Sequence, residues 1–323
     1  MQSVPLTVDP VEHWLDNFDS KVSKAVHKAK LDEFCERNKT TPIELILTAR
    51  KVKPGEPQAE IEHEITQFAD SRLAEGLAKS TVIKEIGIIR GYFKGNYVML
   101  GRMPKRLSGN ESVYESRRTL TPEEVKAMIG TQSLLHAKLV ISMSAQAAQR
   151  VGILAALKHS MIQEVQGFGI VKVPPDLENR KGQLVNKTRN RYIFGLIPES
   201  LQLVNQIRED GSDWVFPIGK RQMQAIISEA AEKAGIQRAV PRKLAIKDNE
   251  GNVLRQRKWH EVHHHIFRAY FKSRMRKAGV VDNELLNYIL GHKPAYGGTY
   301  DRFSEPEILE AYIKAEQYLK LLS

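Results

Sequence analysis

Between residues 101 and 118 the hydrophobic periodicity of the chain stops. The stretch Gly101-Arg-Met-Pro-Lys-Arg-Leu-Ser-Gly-Asn-Glu-Ser-Val-Tyr-Glu-Ser-Arg-Arg118 carries glycine, proline, serine and five basic residues. That composition reads as a linker and not as an element with a face to bury. Structure restarts at once in Thr119-Leu-Thr121-Pro-Glu-Glu124. Thr121 as N-cap, Pro122 at the first helical position and Glu124 at the third form a capping box. A chain of 323 residues interrupted in this way is expected to fold as two units. The expected bounds are 1–105 and 119–323, joined by a basic strap over 106–118.

The first unit reads as helices. Asp9-Pro10 can start one, with Val11, Trp14, Leu15 and Phe18 on one face. Residues 21–37 are basic and amphipathic. Thr41-Pro42 opens another helix, and 51–58, with two prolines, is a loop. Residues 60–76 and 80–99 read as longer helices. In the second, Val82, Ile86, Ile89 and Phe93 form one stripe, which is a core face. Lys79, Lys84, Arg90 and Lys94 lie off it, either solvated or touching an anionic partner. The second unit is mixed. Helices run to about 158, then 162–173 and 183–197 alternate and are rich in β-branched residues, so a small sheet is expected. Helices resume near Glu199 and Lys220, residues 240–258 are an irregular basic insertion, and the rest is mostly helical. An amphipathic helix over 306–322 closes the chain; it packs on its own chain or on a neighbouring one. The expected fold class is mainly α with a small antiparallel sheet.

Charge narrows the class of partner. Lys and Arg number 49 against 38 Asp and Glu, a net +11. From Arg238 to Lys277 there are twelve basic residues against three acidic ones, so most of the excess is local. A polyanion, nucleic acid first, is the expected partner. No apolar run of the length needed to cross a membrane occurs, and the N-terminus has neither a basic n-region nor an apolar h-region, so a cytoplasmic location is expected. The single cysteine, Cys35, excludes an internal disulfide framework and reads as a small buried side chain.

Within the basic region, His260-Glu261-Val-His-His264 satisfies H-E-x-x-H and taken alone points to a zinc-dependent hydrolase. Its flank Arg255-Gln-Arg-Lys258 would repel a dication, and no third histidine follows at the usual spacing. The same patch has another reading. His265 and Arg268, three apart, share a helix face, and Phe267, Phe271 and Met275 make the buried side. Gly279 ends that helix. Leu290-Gly-His292 follows, and then Tyr300 behind Gly297-Gly298. His263 and His264 are read as packing residues.

His265-Ile-Phe-Arg268 resembles the H-x-x-R box of the tyrosine recombinases, the phage-integrase and Xer-type family. Leu290-Gly-His292 resembles their L-G-H box. Thr299-Tyr300-Asp-Arg resembles the nucleophile segment, above all that of archaeal virus and plasmid integrases. Arg150, opening a helix in Ala148-Gln-Arg150-Val-Gly-Ile-Leu, resembles the first arginine box. Asn186-Lys187-Thr-Arg-Asn-Arg191-Tyr-Ile-Phe resembles the β-hairpin that holds the family lysine. Tyr296 is a rival to Tyr300, and Lys181, Arg189 and Arg191 are rivals to Lys187. The chain also departs from the family pattern. Ile153 stands where an acidic residue often follows the first arginine, and Ala147-Ala-Gln149 replaces the usual Thr-Gly-Leu/Met. Ala269 follows Arg268 in place of His or Lys. These departures bear on what orients Arg150.

The resemblance implies a helical core-binding DNA-binding domain over 1–105 and a catalytic domain over 119–323, closing as a C-shaped clamp on double-stranded DNA. It implies Arg150 and Arg268 clamping a phosphate, His265 as base or orienter, His292 bonding the phosphate, Lys187 as acid for the leaving oxygen and Tyr300 as nucleophile. The implied activity is site-specific recombination through a 3′-phosphotyrosine and a Holliday junction. It would be carried out by a homotetramer on two paired sites, with no cofactor, metal or ATP. Two other functions compete: the zinc hydrolase of His260, Glu261 and His264, and a DNA-binding protein of the same fold without catalysis.

Overall fold

A computed structural model describes residues 8–53, 55–101, 119–208, 211–237, 245–247, 253–256, 262–292 and 303–322. The chain divides into two compact units, Met1–Ser116 and Arg117–Ser323.

In the first unit the described elements are helices: α1 (Pro10–Leu15), α2 (Lys21–Arg37), α3 (Pro42–Lys51), α4 (Ala59–Ala74) and α5 (Lys79–Gly95). Local chemistry sets their starts. Asp9 caps α1 by accepting from Val11 N at 2.8 Å. Thr41 and Glu44 close a reciprocal capping box at the head of α3. The stripe Val82, Ile86, Ile89 and Phe93 is wholly buried and joins Trp14, Leu31, Phe34 and Phe68 in one core. α2 is amphipathic over its second half, where Leu31, Phe34 and Cys35 are buried, whereas Val22 and Val26 face solvent. Burial raises the Cys35 thiol to about 12, so it stays protonated. Arg90, off the stripe, donates to Leu100 O at 3.3 Å and so ties the end of α5 to the chain that follows.

The second unit contains α6 (Pro122–Gly130), α7 (Leu135–Gln146), α8 (Val151–Leu154), β1 (Ile162–Val165), β2 (Phe168–Val173), β3 (Tyr192–Leu196), α9 (Pro198–Gln206), α10 (Lys220–Lys233), β4 (Ala245–Lys247), β5 (Val253–Gln256), α11 (Ile266–Lys277), α12 (Asn283–Ile289) and α13 (Glu305–Leu319). The capping box at its entry forms: Thr121 N donates to Glu124 Oε2 at 2.9 Å and Glu124 N to Thr121 Oγ1 at 3.2 Å. α7 is apolar around much of its circumference. It is the central helix, packed by α6, α9, α10 and α11. The fold is mostly helical with a three-stranded antiparallel sheet in the order β1-β2-β3.

Three details differ from the sequence reading. Residues 162–173 are two strands, because Gln166 and Gly167 take φ of 53° and 81° and turn the chain. Two such left-handed residues make a tight hairpin whose twist matches its strands. The third strand starts only at Tyr192. Before it, the Asn186 amide donates to both Pro174 O and Asn190 O at 2.9 Å and holds the connection in a turn. Part of the insertion at 240–258 pairs as the antiparallel β4–β5 ribbon.

The closing helix packs on α11, β2 and β3 of its own unit. Tyr312 is fully buried against Gly195, where an added Cβ would lie 2.5 Å from the ring. Only glycine permits that approach.

Candidate active site

Two turns build the site. The first leaves the central helix. α7 ends at Gln146, and Ala148 takes φ of 51° inside the core. That left-handed conformation costs a non-glycine residue about 1–2 kcal/mol. It presents the Ala148 carbonyl to Arg268, whose Nη1 donates to it at 3.2 Å. Arg150 follows in extended conformation as the N-cap of α8, so its side chain leaves the helix end. Its Nη1 donates to Gly291 O at 3.1 Å.

The second turn ends α12, which Asp282 caps by accepting from Glu284 N and Leu285 N. Gly291 takes φ of 65° just past the helix. Its N–H returns to Tyr288 O at 2.8 Å, and that of His292 to Asn287 O at 3.0 Å. This is the glycine-terminated helix end, and it turns the last carbonyls toward the arginines. Arg268 Nη2 donates to Leu290 O at 2.9 Å and to His292 Nε2 at 2.7 Å. A guanidinium only donates, so Nε2 accepts and the His292 proton sits on Nδ1, 3.3 Å from Asn287 Oδ1. Lys272 Nζ holds the same Asn287 oxygen at 2.9 Å.

Arg268 is 9 % exposed, and burial of a charge costs several kcal/mol unless it is hydrogen-bonded. Three of its five N–H groups are met by the two carbonyls and the imidazole. Burial first, and then the charge of Arg150, lower its pKa to about 10, so it is a cation at neutral pH. Burial, followed by Arg268, Lys272 and Arg150, lowers His292 to about 4, and it is neutral.

Arg150, Lys187, His265 and Arg268 line one cleft of about 670 Å³, together with His263, His264, Lys220, Asn179 and Gln149. His292 joins them through Arg268. The structure therefore brings five sequence-selected residues to one place. His265 is exposed at the head of α11. Lys187 is exposed on the β2–β3 connection, next to the buried turn residue Asn186; of the four basic residues weighed there, it is the one among the cleft-lining residues. Tyr300 and its rival Tyr296 lie outside the described residues, as do His260 and Glu261. His264 is 7 % exposed, neither ring nitrogen has a hydrogen-bond partner among the described residues, and burial lowers its pKa to about 3. Among the described residues no group of three His, Cys, Asp or Glu side chains is arranged to hold a metal ion.

Sequence reasoning missed Gln149, Tyr192 and Asn287, which contact the backbone or side chains of this site. Their partners are distant in the chain or one helical turn away on a short helix. The asparagine in Asn287-Tyr-Ile-Leu-Gly-His292, five before the histidine, was a readable signal.

No family model and no curated protein matches the sequence. Solved structures do match in fold. The integrase of transposon Tn1549, in complex with transposon right end DNA, shares 13% identity over 96% of this chain and 100% of that chain, with a TM-score of 0.53. XerH site-specific recombinase in a post-cleavage complex with palindromic difH substrate shares 12% identity over 98% of this chain and 96% of that one, with a TM-score of 0.52. Lambda integrase bound to DNA shares 15% identity over 91% and 99%, with a TM-score of 0.50. Similarity at this level of identity is similarity of fold, and the chain is built on the fold of the tyrosine recombinases and integrases.

Proposed function

We propose that the protein is a site-specific DNA recombinase that cuts and rejoins strands through a 3′-phosphotyrosine on Tyr300. One observation carries this reading: Arg150 and Arg268 share a cleft with Lys187 and His265, and the guanidiniums are held by neutral acceptors. Their positive charge is not offset by those partners, and a phosphodiester anion is the complement. In the reaction the Tyr300 oxygen attacks phosphorus and its proton passes to His265. The bond to the 5′ oxygen breaks, and Lys187 protonates that oxygen as it leaves. His292, whose Nε2 accepts from Arg268, acts on the phosphate through that guanidinium. Attack by another 5′-hydroxyl reverses each step. One phosphoester is exchanged for another, so the chemistry needs no ATP, and the charge is met by side chains.

Residues 1–105 serve as a helical DNA-binding domain, 106–118 as a basic linker and 119–323 as the catalytic domain. The structural relatives bound to DNA support double-stranded DNA as the partner. A homotetramer on two paired sites passing through a Holliday junction completes the reading.

A nicked suicide substrate tests it. A covalent protein–DNA adduct should form, survive EDTA and vanish in Tyr300→Phe. Binding without adduct overturns catalysis and leaves a DNA-binding protein. Activity abolished by chelator turns the reading to the hydrolase of His260, Glu261 and His264.

A further inference from the structure

Arg150 and Arg268 lean on carbonyls from two turns that are remote in the chain. Arg268 uses Ala148 O from one turn and Leu290 O from the other, and Arg150 crosses to Gly291 O. The guanidiniums keep a fixed spacing only if the turns do. Gln149 is the bridge between them. It is fully buried, and its Nε2 donates at 2.9 Å both to Ala147 O and to Ile289 O, each one residue before an Arg268 acceptor. Its Oε1 accepts from Tyr192 Oη at 2.9 Å. All the hydrogens of that amide, and its oxygen, are engaged. Tyr192, at the start of β3 and 2 % exposed, also lies against the second turn: a Cβ on Gly291 would fall 2.7 Å from its Cζ.

Three residues after Arg150, Ile153 is buried and apolar and supplies no acceptor to the guanidiniums. We infer that Gln149 and Tyr192 are positioning residues that hold both arginines in register as a neutral bridge. A carboxylate in that place would cancel part of the charge meant for the phosphate, and an amide does not. A buried amide bonded on three sides is also rigid, because releasing any one bond leaves a desolvated polar group.

The inference rests on the proposed strand-cleavage reaction, and its test separates the two. Single-turnover cleavage of the nicked substrate at saturating protein is compared with DNA affinity and melting temperature in Tyr192→Phe, Gln149→Leu and the double variant. Tyr192→Phe keeps the ring under Gly291 and removes only the hydroxyl. Cleavage should fall about 10- to 100-fold while the DNA Kd stays within about 2-fold, since a small misplacement of a clamp costs rate before binding. The double variant should be no slower than Gln149→Leu, because the residues act as one bridge. On a scissile linkage with one non-bridging oxygen replaced by methyl, which has no anionic charge to clamp, the defects should shrink. Wild-type rates in both single variants overturn the inference. So does a cleavage loss matched by equal losses in affinity and melting temperature, or one undiminished on the neutral linkage. If the wild-type protein forms no adduct, the proposed function fails instead.

Discussion

The Arg268 guanidinium donates to His292 Nε2 at 2.7 Å, and this contact adds to burial in keeping the imidazole neutral. A second proton on Nε2 would face a cation, so His292 remains neutral well below the ordinary histidine range, with a pKa of about 4 from burial and the adjacent Arg268, Lys272 and Arg150. Histidine-selective NMR should place its titration near that value, and a midpoint near 6.5 would refute the assignment. Arg268→Lys should lower cleavage about 100-fold or more. A single ammonium cannot satisfy Ala148 O, Leu290 O and His292 together and still meet a phosphate in forked geometry. Cleavage of the nicked substrate measures it.

Ala148 gives the opposite sign. It holds a left-handed φ of 51° with no exposed surface, a conformation that glycine adopts without strain. Ala148→Gly relieves about 1–2 kcal/mol of backbone strain and returns about 0.4–1 kcal/mol to the entropy of the unfolded chain. The net expectation is stabilisation by about 0–1.6 kcal/mol, read as a higher urea midpoint at unchanged slope. A lower midpoint would mean that the alanine methyl packs better than the strain costs.

Local signals were legible where the chemistry is local. Thr41 and Thr121 announced their helices because a cap bonds within three residues. The 82–93 stripe was legible because a helix buries every third or fourth position. Arg150, Arg268 and His292 could be selected by their resemblance to the family's boxes in order and spacing, and the structure places them around the same two turns. What could not be read were bonds across long separations. Gln149 looks like any polar residue until its amide meets Ile289 O, and Tyr192 looks like a strand aromatic until its hydroxyl meets Gln149. The turn at Gln166-Gly167 was missed because the β-branched pattern on both sides dominated the local reading. The nucleophile segment, chosen on sequence, lies outside the described residues.

His264 makes stability depend on pH. Its ring is buried without hydrogen-bond partners among the described residues, and burial, then the charges of His265, Arg268, His263 and Lys220, hold its pKa at about 3. Unfolded, it titrates near about 6.5. The unfolded state therefore binds the extra proton first as pH falls. Stability is full above about 6.5 and is lost progressively from there toward about 3. His292 acts in the same direction over its own narrower interval. Urea midpoints should be level from pH 8 to 7 and fall between pH 6.5 and 4.5, and His264→Met should flatten part of that slope. An unchanged slope in the variant would remove His264 as the cause.

The end of the chain is held by a carboxylate. Glu199 accepts from Leu321 N at 3.1 Å and from Leu322 N at 2.9 Å. Gln146, at the end of the central helix, donates to Leu319 O at 3.0 Å and to Glu199, and Ser200 donates back to Gln146. The backbone beyond α13 is thus pinned by Glu199 of α9, and Gln146, at the end of the helix whose next turn carries Arg150, holds that carboxylate and the last residue of α13. Glu199→Ala leaves the N–H groups of Leu321 and Leu322 and the amide of Gln146 without their acceptor, at a cost of about 1–3 kcal/mol. Glu199→Gln keeps one acceptor oxygen and should cost less. The loss should be local, because α13 remains anchored by Tyr312 against Gly195. Amide exchange should quicken at 320–322 while Ala311 and Ala315 stay protected. If exchange quickens equally along the whole of α13, the tail and the helix are one cooperative unit, and the separate hold assigned to Glu199 is wrong.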